Sequence, residues 1–154
     1  MPFFNANPPT HSQLLAFRPG QPVGNWRDSN QGTGYGTIPF DVNVALVPAN
    51  LRAVDDLASA GILNLQELVI ETENGSPFDI VSMAKKWEEE APGMFEVTVD
   101  SETAEERLEA FVDAVKLDQS LLGNSSAAGS NVTFYALSLM PDGTPVEVSI
   151  LSPF

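Results

Sequence analysis

The placement of proline is the sequence feature that most restricts how this chain can fold. Five prolines fall within the first 24 residues, at positions 2, 8, 9, 19 and 22. Proline fixes the backbone φ angle and lacks an N–H, so a regular helix cannot run through this stretch. We therefore predict an extended arm over residues 1–24, with at most one turn of helix at residues 12–17. The apolar side chains of Leu14, Leu15 and Phe17 indicate that the arm packs against another surface.

Beyond residue 46, apolar residues recur at helical spacing, and this predicts three helices within residues 47–117. We expect the first from Val47 to Gly61 and the second from Pro77 to Glu90. The expected buried stripes are Val47, Leu51, Val54, Leu57 and Ala58 in the first helix, and Ile80, Val81, Ala84 and Trp87 in the second. Trp87 continues an apolar stripe, so we assign it to the core rather than to a ligand site.

The third predicted helix begins after a cap at Asp100 or Ser101 and continues to about Leu117. Acidic residues fill its first turn, where they complement the helix dipole. Its expected apolar face comprises Ala104, Leu108, Phe111, Val112 and Val115.

Two segments rich in β-branched and aromatic residues, 132–139 and 145–150, flank the turn sequence Pro-Asp-Gly at 141–143. This arrangement predicts a β-hairpin over residues 131–151. Residues 94–99 alternate between apolar and polar and suit a short strand. The patterns together predict a mainly α fold with a C-terminal β-hairpin, and the alternative is a small α+β domain.

One stretch gathers the residue types that a binding site needs. Gly24–Asn30 contains Trp26, Arg27 and Asp28, and Asp41 and Asn43 follow a glycine-rich spacer. Tryptophan offers a flat apolar face for a sugar, arginine offers a fork of donors, and an aspartate can act as a general acid. Asp41 and Asn43 are also good helix caps, so a purely structural role for them is an equal alternative.

The spacer, residues 31–37, has a glycine at every second position, which permits positive φ angles and close approach to a ligand. We reject a dinucleotide-binding interpretation. That motif follows a strand and opens a helix, whereas prolines and a polar run precede this spacer.

The pairing of Asn25-Trp26-Arg27-Asp28-Ser29 with Pro39-Phe40-Asp41-Val42-Asn43 resembles the catalytic core of six-hairpin (α/α toroid) glycosidases, the group of trehalases and processing α-glucosidases. The resemblance covers residues 18–60. It implies an inverting hydrolase of α-linked glucosides in which Asp28 is the general acid. Trp26, Arg27, Asp41 and Asn43 would then bind the sugar, within a candidate sugar-site loop over residues 25–46.

Two departures qualify what the resemblance implies. The chain reads Trp-Arg-Asp where the family has Trp-Asp, so the position of the acid differs by one residue. An inverting mechanism also needs a second carboxylate, and 154 residues cannot hold six helical hairpins. We therefore expect residues 1–154 to be a single domain or a fragment of such a glycosidase. The alternative is a non-catalytic carbohydrate-binding or interaction module, and other chains that complete the toroid are a third interpretation.

Composition excludes several function classes. The formal net charge of −14 opposes binding to nucleic acid or to an anionic membrane surface. The chain has no cysteine and one histidine, His11, so disulfides, thiolate or histidine metal sites and a serine triad are not expected. We expect no metal and no cofactor, and carbohydrate is the expected partner.

The amino-terminal residues lack the charged start and apolar run of a signal peptide, and no stretch is long and apolar enough to span a bilayer. Sequons at Asn74, Asn124 and Asn131 would accept glycans in a secretory route. The sequence therefore leaves the compartment open.

Overall fold

The structure is a computed structural model that describes residues 2–21, 29–30, 32–65, 79–122 and 129–146. The helices are α1 (Pro2–Asn5), α2 (Val47–Ser59), α3 (Ile80–Glu90) and α4 (Ser101–Ala114). A π-helical turn, Val42–Leu46, leads directly into α2. Short 3-10 turns lie at His11–Gln13, Pro92–Phe95 and Gln119–Leu122.

Within the residues that the structure describes, five short strands form two antiparallel sheets. They are β1 (Ile38–Pro39), β2 (Glu96–Val99), β3 (Val132–Tyr135), β4 (Ser138–Leu139) and β5 (Pro145–Val146). One sheet has the order β1-β4-β5, and β2 pairs with β3 in the other. The described chain thus combines helices with small antiparallel sheets, which is consistent with a small α+β domain.

Local sequence signals place the C-terminal end of α2 and the start of α4 as expected. After α2, the Ile62 N–H donates to Leu57 O at 2.9 Å and the Gly61 N–H donates to Ala58 O at 3.0 Å, which together form a Schellman motif. Gly61 has the positive φ, 71°, that this motif requires. Asp100 caps α4 by accepting the Thr103 N–H at 2.9 Å, so the predicted cap is confirmed.

The end of α4 has the same motif with an unusual residue in it. Leu117 and Lys116 donate to Val112 and Asp113, and Lys116 takes the left-handed conformation with φ 56°. The helix ends at Ala114, three residues before the predicted end. A lysine in this position is strained, because its Cβ disfavours positive φ.

Helix α3 begins later than predicted. Its N-cap is Asp79, whose carboxylate accepts the Ser82 N–H at 3.0 Å, while Pro77 lies outside the described residues. Its end at Glu90 agrees with the prediction. Arg52 of α2 forms a two-pronged ion pair with Glu88 of α3, with Nε–Oε1 and Nη2–Oε2 distances of 2.6 and 2.5 Å. This pair links the solvent-exposed sides of the two helices.

The core lies between α2, α3 and the β1-β4-β5 sheet, and Trp87 is buried in it as predicted. The Trp87 ring stacks on Phe3 of α1 with a centroid separation of 4.2 Å. In the described part of the chain its Nε1–H has no hydrogen-bond partner, so ring packing holds this residue. Val81, predicted for the same stripe, is exposed because it lies on the solvent side of α3.

The apolar face of α4 is less buried than the sequence predicts. Val112 is buried, whereas Leu108 and Val115 are exposed. The reason is the position of α4, which packs chiefly against the 3-10 turn Gln119–Leu122 and not against the main core.

The proline-rich arm packs on the core of the same chain. It contains α1, so the prediction of an extended arm is wrong for Pro2–Asn5, whereas the 3-10 turn His11–Gln13 overlaps the one helical turn allowed at residues 12–17. Phe3 and Leu14 are buried, and the Lys86 Nζ donates to the carbonyls of Phe4 and Ala6. Apolar contacts and the hydrogen bonds of Lys86 thus hold the arm against α3.

The predicted hairpin is present as β4 and β5, which pair antiparallel with Ser138 opposite Val146. Its turn is closed by the Met140 N–H donating to Thr144 O at 2.8 Å. The residues before β4 behave differently from the prediction, because β3 pairs with β2. Residues 147–151 of the predicted hairpin lie outside the described residues.

Candidate functional site

The candidate site consists of two segments, residues 24–30 and 38–43, joined by the glycine-rich spacer. Trp26, Arg27 and Asp28 lie outside the described residues. Ser29, Asn30, most of the spacer, Asp41 and Asn43 are described, and their geometry defines how the two segments are held.

The spacer folds into a tight turn that begins at Ser29. The Ser29 Oγ accepts the Gly32 N–H at 2.8 Å, and the Ser29 carbonyl accepts the Thr33 N–H at 3.3 Å. A second turn comes next, in which the Gly36 N–H donates to Thr33 O at 3.2 Å. The two central residues of this second turn, Gly34 and Tyr35, have φ angles of 60° and 65°. This combination is typical of a type I′ turn.

Two glycines of the spacer lie directly against the β4–β5 hairpin. A Cβ added at Gly36 would lie 2.0 Å from the Ser138 Oγ, and one added at Gly34 would lie 2.4 Å from the Val146 Cγ1. Both distances are far below van der Waals contact, so only glycine fits. The close approach that the sequence predicts for this backbone is therefore an approach to the chain's own hairpin.

Ser138 connects the two segments of the candidate site. Its hydroxyl is fully buried and donates to Thr33 O at 2.6 Å. In the sheet, Ser138 lies opposite Pro39 of β1. The Thr33 N–H donates to Ser29 O, so Ser138 is paired directly with Pro39 of one segment and is linked through Thr33 to Ser29 of the other. The sequence analysis did not identify Ser138, because nothing in its own neighbourhood of the chain marks this long-range contact.

Asn43 is fully buried and its amide forms three hydrogen bonds to the backbone. The Oδ1 accepts the Leu15 N–H at 2.8 Å, and the Nδ2 donates to Leu15 O at 2.9 Å and to Pro39 O at 2.8 Å. The amide thus pairs with the arm as a neighbouring strand would. Its acceptor is bonded to the arm and not to the helix on its C-terminal side, so Asn43 is not a helix cap.

Asp41 lies at the start of the π-helical turn, with helical φ and ψ angles of −57° and −40°. Its side chain makes no capping hydrogen bond to that turn, and the residue is half-buried. Single π-helical turns inserted in helices occur frequently at functional sites. Asp41 therefore lies at the start of the helix that the sequence predicted, but its backbone angles are helical, whereas an N-cap residue has extended angles.

The described carboxylates with a resolved pKa shift all shift downward. Hydrogen bonds from Ser82 lower the pKa of Asp79, those from Thr103 lower that of Asp100, and the Arg52 guanidinium lowers that of Glu88. Backbone N–H groups in turns likewise lower the pKa values of Asp118 and Asp142. A general acid needs a raised pKa, so none of these five groups suits that role.

Among the residues that the structure describes, no three histidine, aspartate or glutamate side chains are grouped so that they could hold a metal ion. No described helix is long and apolar enough to cross a membrane.

Comparisons of the chain with protein-family models, with curated proteins and with solved structures found no match.

Proposed function

We propose that this chain is part of a glycoside hydrolase of the six-hairpin toroid type, which acts on α-linked glucosides or related sugars by an inverting acid/base mechanism. The observation that carries the proposal is that Ser29 and Pro39, described residues of the two candidate segments, are both linked to Ser138. Ser29 reaches Ser138 through Thr33, and Pro39 lies opposite Ser138. Residues from separate segments can act on one ligand only if the fold brings the segments together.

In this proposal Asp28 donates a proton to the glycosidic oxygen, and Trp26 stacks on the sugar ring. Arg27 and Asp41 bind hydroxyl groups. For Asn43 a sugar-binding role stays a prediction. Its hydrogen bonds to Pro39 and Leu15 support a second role, which is to position the segment that carries Asp41.

The inverting mechanism also needs a carboxylate that activates water, roughly 6.5–9.5 Å from the acid. In the resembling family this base belongs to a later part of a much larger toroid. The proposal therefore assigns the acid to Asp28, and a second carboxylate of the assembled site supplies the base.

Calorimetric titration of the purified chain with trehalose and with maltose tests the proposal, together with an assay for glucose release. We expect the wild-type chain to release heat and Trp26→Ala to abolish it. Asp28→Asn should keep the binding and remove any turnover. Asp56→Asn, on the solvent side of α2, is the matched control and should change neither. A chain that neither binds nor cleaves these sugars, or an Asp28→Asn variant that keeps wild-type turnover, contradicts the proposal.

The alternative is a carbohydrate-binding module without catalysis. It is motivated by the inverting mechanism itself, which needs a second carboxylate that the proposed roles of the candidate residues do not supply. Heat of binding without glucose release, in both the wild type and Asp28→Asn, is the result that this alternative expects.

A further inference from the structure

Strand β3 is paired along one edge and exposed along its whole length. Within the part of the chain that the structure describes, β2 is its partner and no strand pairs with its other edge. All four residues of β3 are exposed, and the Val132 and Phe134 side chains are 43% and 37% exposed. A two-stranded sheet is marginally stable by itself, and an open strand edge is a template for another strand. The second edge of β3 is therefore a surface that can accept a strand.

Strand β3 lacks the features that usually protect an open edge. Charged side chains, proline and β-bulges normally prevent edge-to-edge association. Residues 129–140 contain no charged residue and no proline. The four residues of β3 pair one to one with β2, so the strand has no bulge. In a chain of net charge −14, this uncharged strip is a place where a second copy can approach without bringing carboxylates together.

The pairing of β2 with β3 sorts their side chains onto two different faces. Residues directly opposite each other in an antiparallel pair point to the same face of the sheet. One face carries two opposed apolar pairs, which are Val97–Phe134 and Val99–Val132. On the other face Thr98 lies opposite Thr133, and their hydroxyl oxygens are 3.0 Å apart in a hydrogen bond.

We infer that β3 pairs antiparallel with β3 of a second copy of this chain, across a two-fold axis at Thr133, to give one four-stranded sheet. With the axis there, Val132 lies opposite Phe134 of the second copy, and Thr133 lies opposite Thr133. Apolar side chains then face apolar side chains across the new pairing, and the threonines of all four strands form one row on the other face. An axis at Phe134 would instead require Ala136, which is buried. The inference is independent of the proposed function.

The negative charge of the chain does not oppose this arrangement strongly. The one carboxylate within β2 and β3 is that of Glu96, which belongs to β2. The two β2 strands would form the outer edges of the sheet, three strand spacings or about 14 Å apart. This separation exceeds the Debye length of about 8 Å at physiological ionic strength, so salt largely screens the repulsion. Because one strand edge per copy is a small interface, we expect a reversible dimer that added salt strengthens.

Disulfide cross-linking tests the pairing directly, because the chain contains no cysteine. Opposed residues of antiparallel strands have Cα atoms about 4.5–5.5 Å apart, which a disulfide can span. Oxidised glutathione should therefore convert Thr133→Cys into a covalent dimer. Thr98→Cys is the matched control, since it changes the same residue type on the same face. Its two thiols would be about 14 Å apart in the dimer, so it should remain largely monomeric on a non-reducing gel.

Sedimentation equilibrium over a series of protein concentrations tests the reversible dimer. Thr133→Lys places two like charges opposite each other at the axis, so we expect its dimer dissociation constant to rise by about tenfold or more. Thr98→Lys carries the same new charge on the outer strand and should stay within about threefold of the wild type. An equal mixture of Thr133→Lys and Thr133→Glu should associate more tightly than either variant alone, because opposite charges then meet at the axis.

A wild-type chain that stays monomeric at every concentration overturns the inference. A dimer that Thr133→Lys leaves unchanged also overturns it, as does equal cross-linking of Thr133→Cys and Thr98→Cys, since the contact would then lie elsewhere. Circular dichroism checks that each variant is folded. If Thr133→Lys does not fold, the comparison of the two cysteine variants decides, because each keeps a small side chain at its position.

Discussion

Replacing Asn43 with alanine tests whether the arm is held to the helix entrance by one amide. In the wild type this buried side chain connects Leu15 of the arm to Pro39 of β1 through three hydrogen bonds. Alanine removes the amide and leaves the backbone of the π-helical turn in place. The Pro39 carbonyl then loses a partner in a fully buried position.

The expected loss of stability is worked out from the hydrogen bonds. At about 1 kcal/mol for each bond, their removal lowers the free energy of unfolding by about 3 kcal/mol. The buried Pro39 carbonyl makes a larger part of this loss, because a buried acceptor without a partner costs about 1–3 kcal/mol by itself. The two hydrogen bonds to Leu15 are only partly buried, and that residue is 48% exposed, so their loss costs less.

Urea denaturation followed by circular dichroism measures this loss, and amide hydrogen exchange locates it. We expect faster exchange over residues 2–21 in Asn43→Ala, since the arm loses its link to β1. Asn43→Asp keeps one acceptor but turns a carboxylate toward two carbonyl oxygens. Burial and repulsion raise the pKa of that carboxyl, so its stability deficit should be larger at neutral pH than at acid pH.

Asn50→Ala, at an exposed position of α2, is the matched control and should change the free energy of unfolding by less than about 0.5 kcal/mol. An Asn43→Ala variant as stable as Asn50→Ala would refute the reasoning. Unchanged exchange in the arm, combined with a global loss of stability, would refute the assignment of the amide to the arm.

Two further predictions concern helix ends. Lys116→Gly should raise the free energy of unfolding by up to about 1 kcal/mol, and Gly61→Ala should lower it by a similar amount, because both positions have positive φ. A Cβ at Gly61 would meet no neighbour, so its cost comes from the backbone conformation alone. Urea denaturation of the two variants measures these opposite signs, and equal signs would contradict the account. Hydrogen bonds lower the pKa values of the capping carboxylates Asp79 and Asp100. The stability that they provide is therefore present above pH 3.8, the ordinary aspartate pKa, and is lost as the pH falls through the lower pKa values of the folded state. Asp79→Asn keeps a capping acceptor but does not titrate, so its unfolding midpoint should depend less on pH in this range than that of the wild type.

Features that depend on a few neighbouring residues were predictable from the sequence. Gly61 ends α2 and Asp100 caps α4, because such signals act through hydrogen bonds that span three to five residues. The turn at Pro141–Gly143 was predictable for the same reason. Trp87 was assigned to the core from its apolar stripe, without reference to its partner.

Features that depend on distant residues were not predictable. The partner of Trp87 is Phe3, and the partner of β3 is β2 rather than β5. Local pattern cannot choose between strands of similar composition, since pairing depends on which surface remains uncovered after the helices pack. The glycines of the spacer were noticed, but the surface that they approach belongs to a hairpin about a hundred residues later.

The hydrogen bond between Ser138 and Thr33 affects how the chain is made. The two residues are separated by 105 positions, so ribosomal synthesis at about 5–20 residues per second exposes the glycine turn for roughly 5–20 s before its partner emerges. Phe3 likewise emerges well before Trp87. A nascent chain arrested before residue 138 therefore carries an unsupported turn and an unfinished sheet, and Thr33 and Pro39 meet Ser138 only after that residue has left the ribosome.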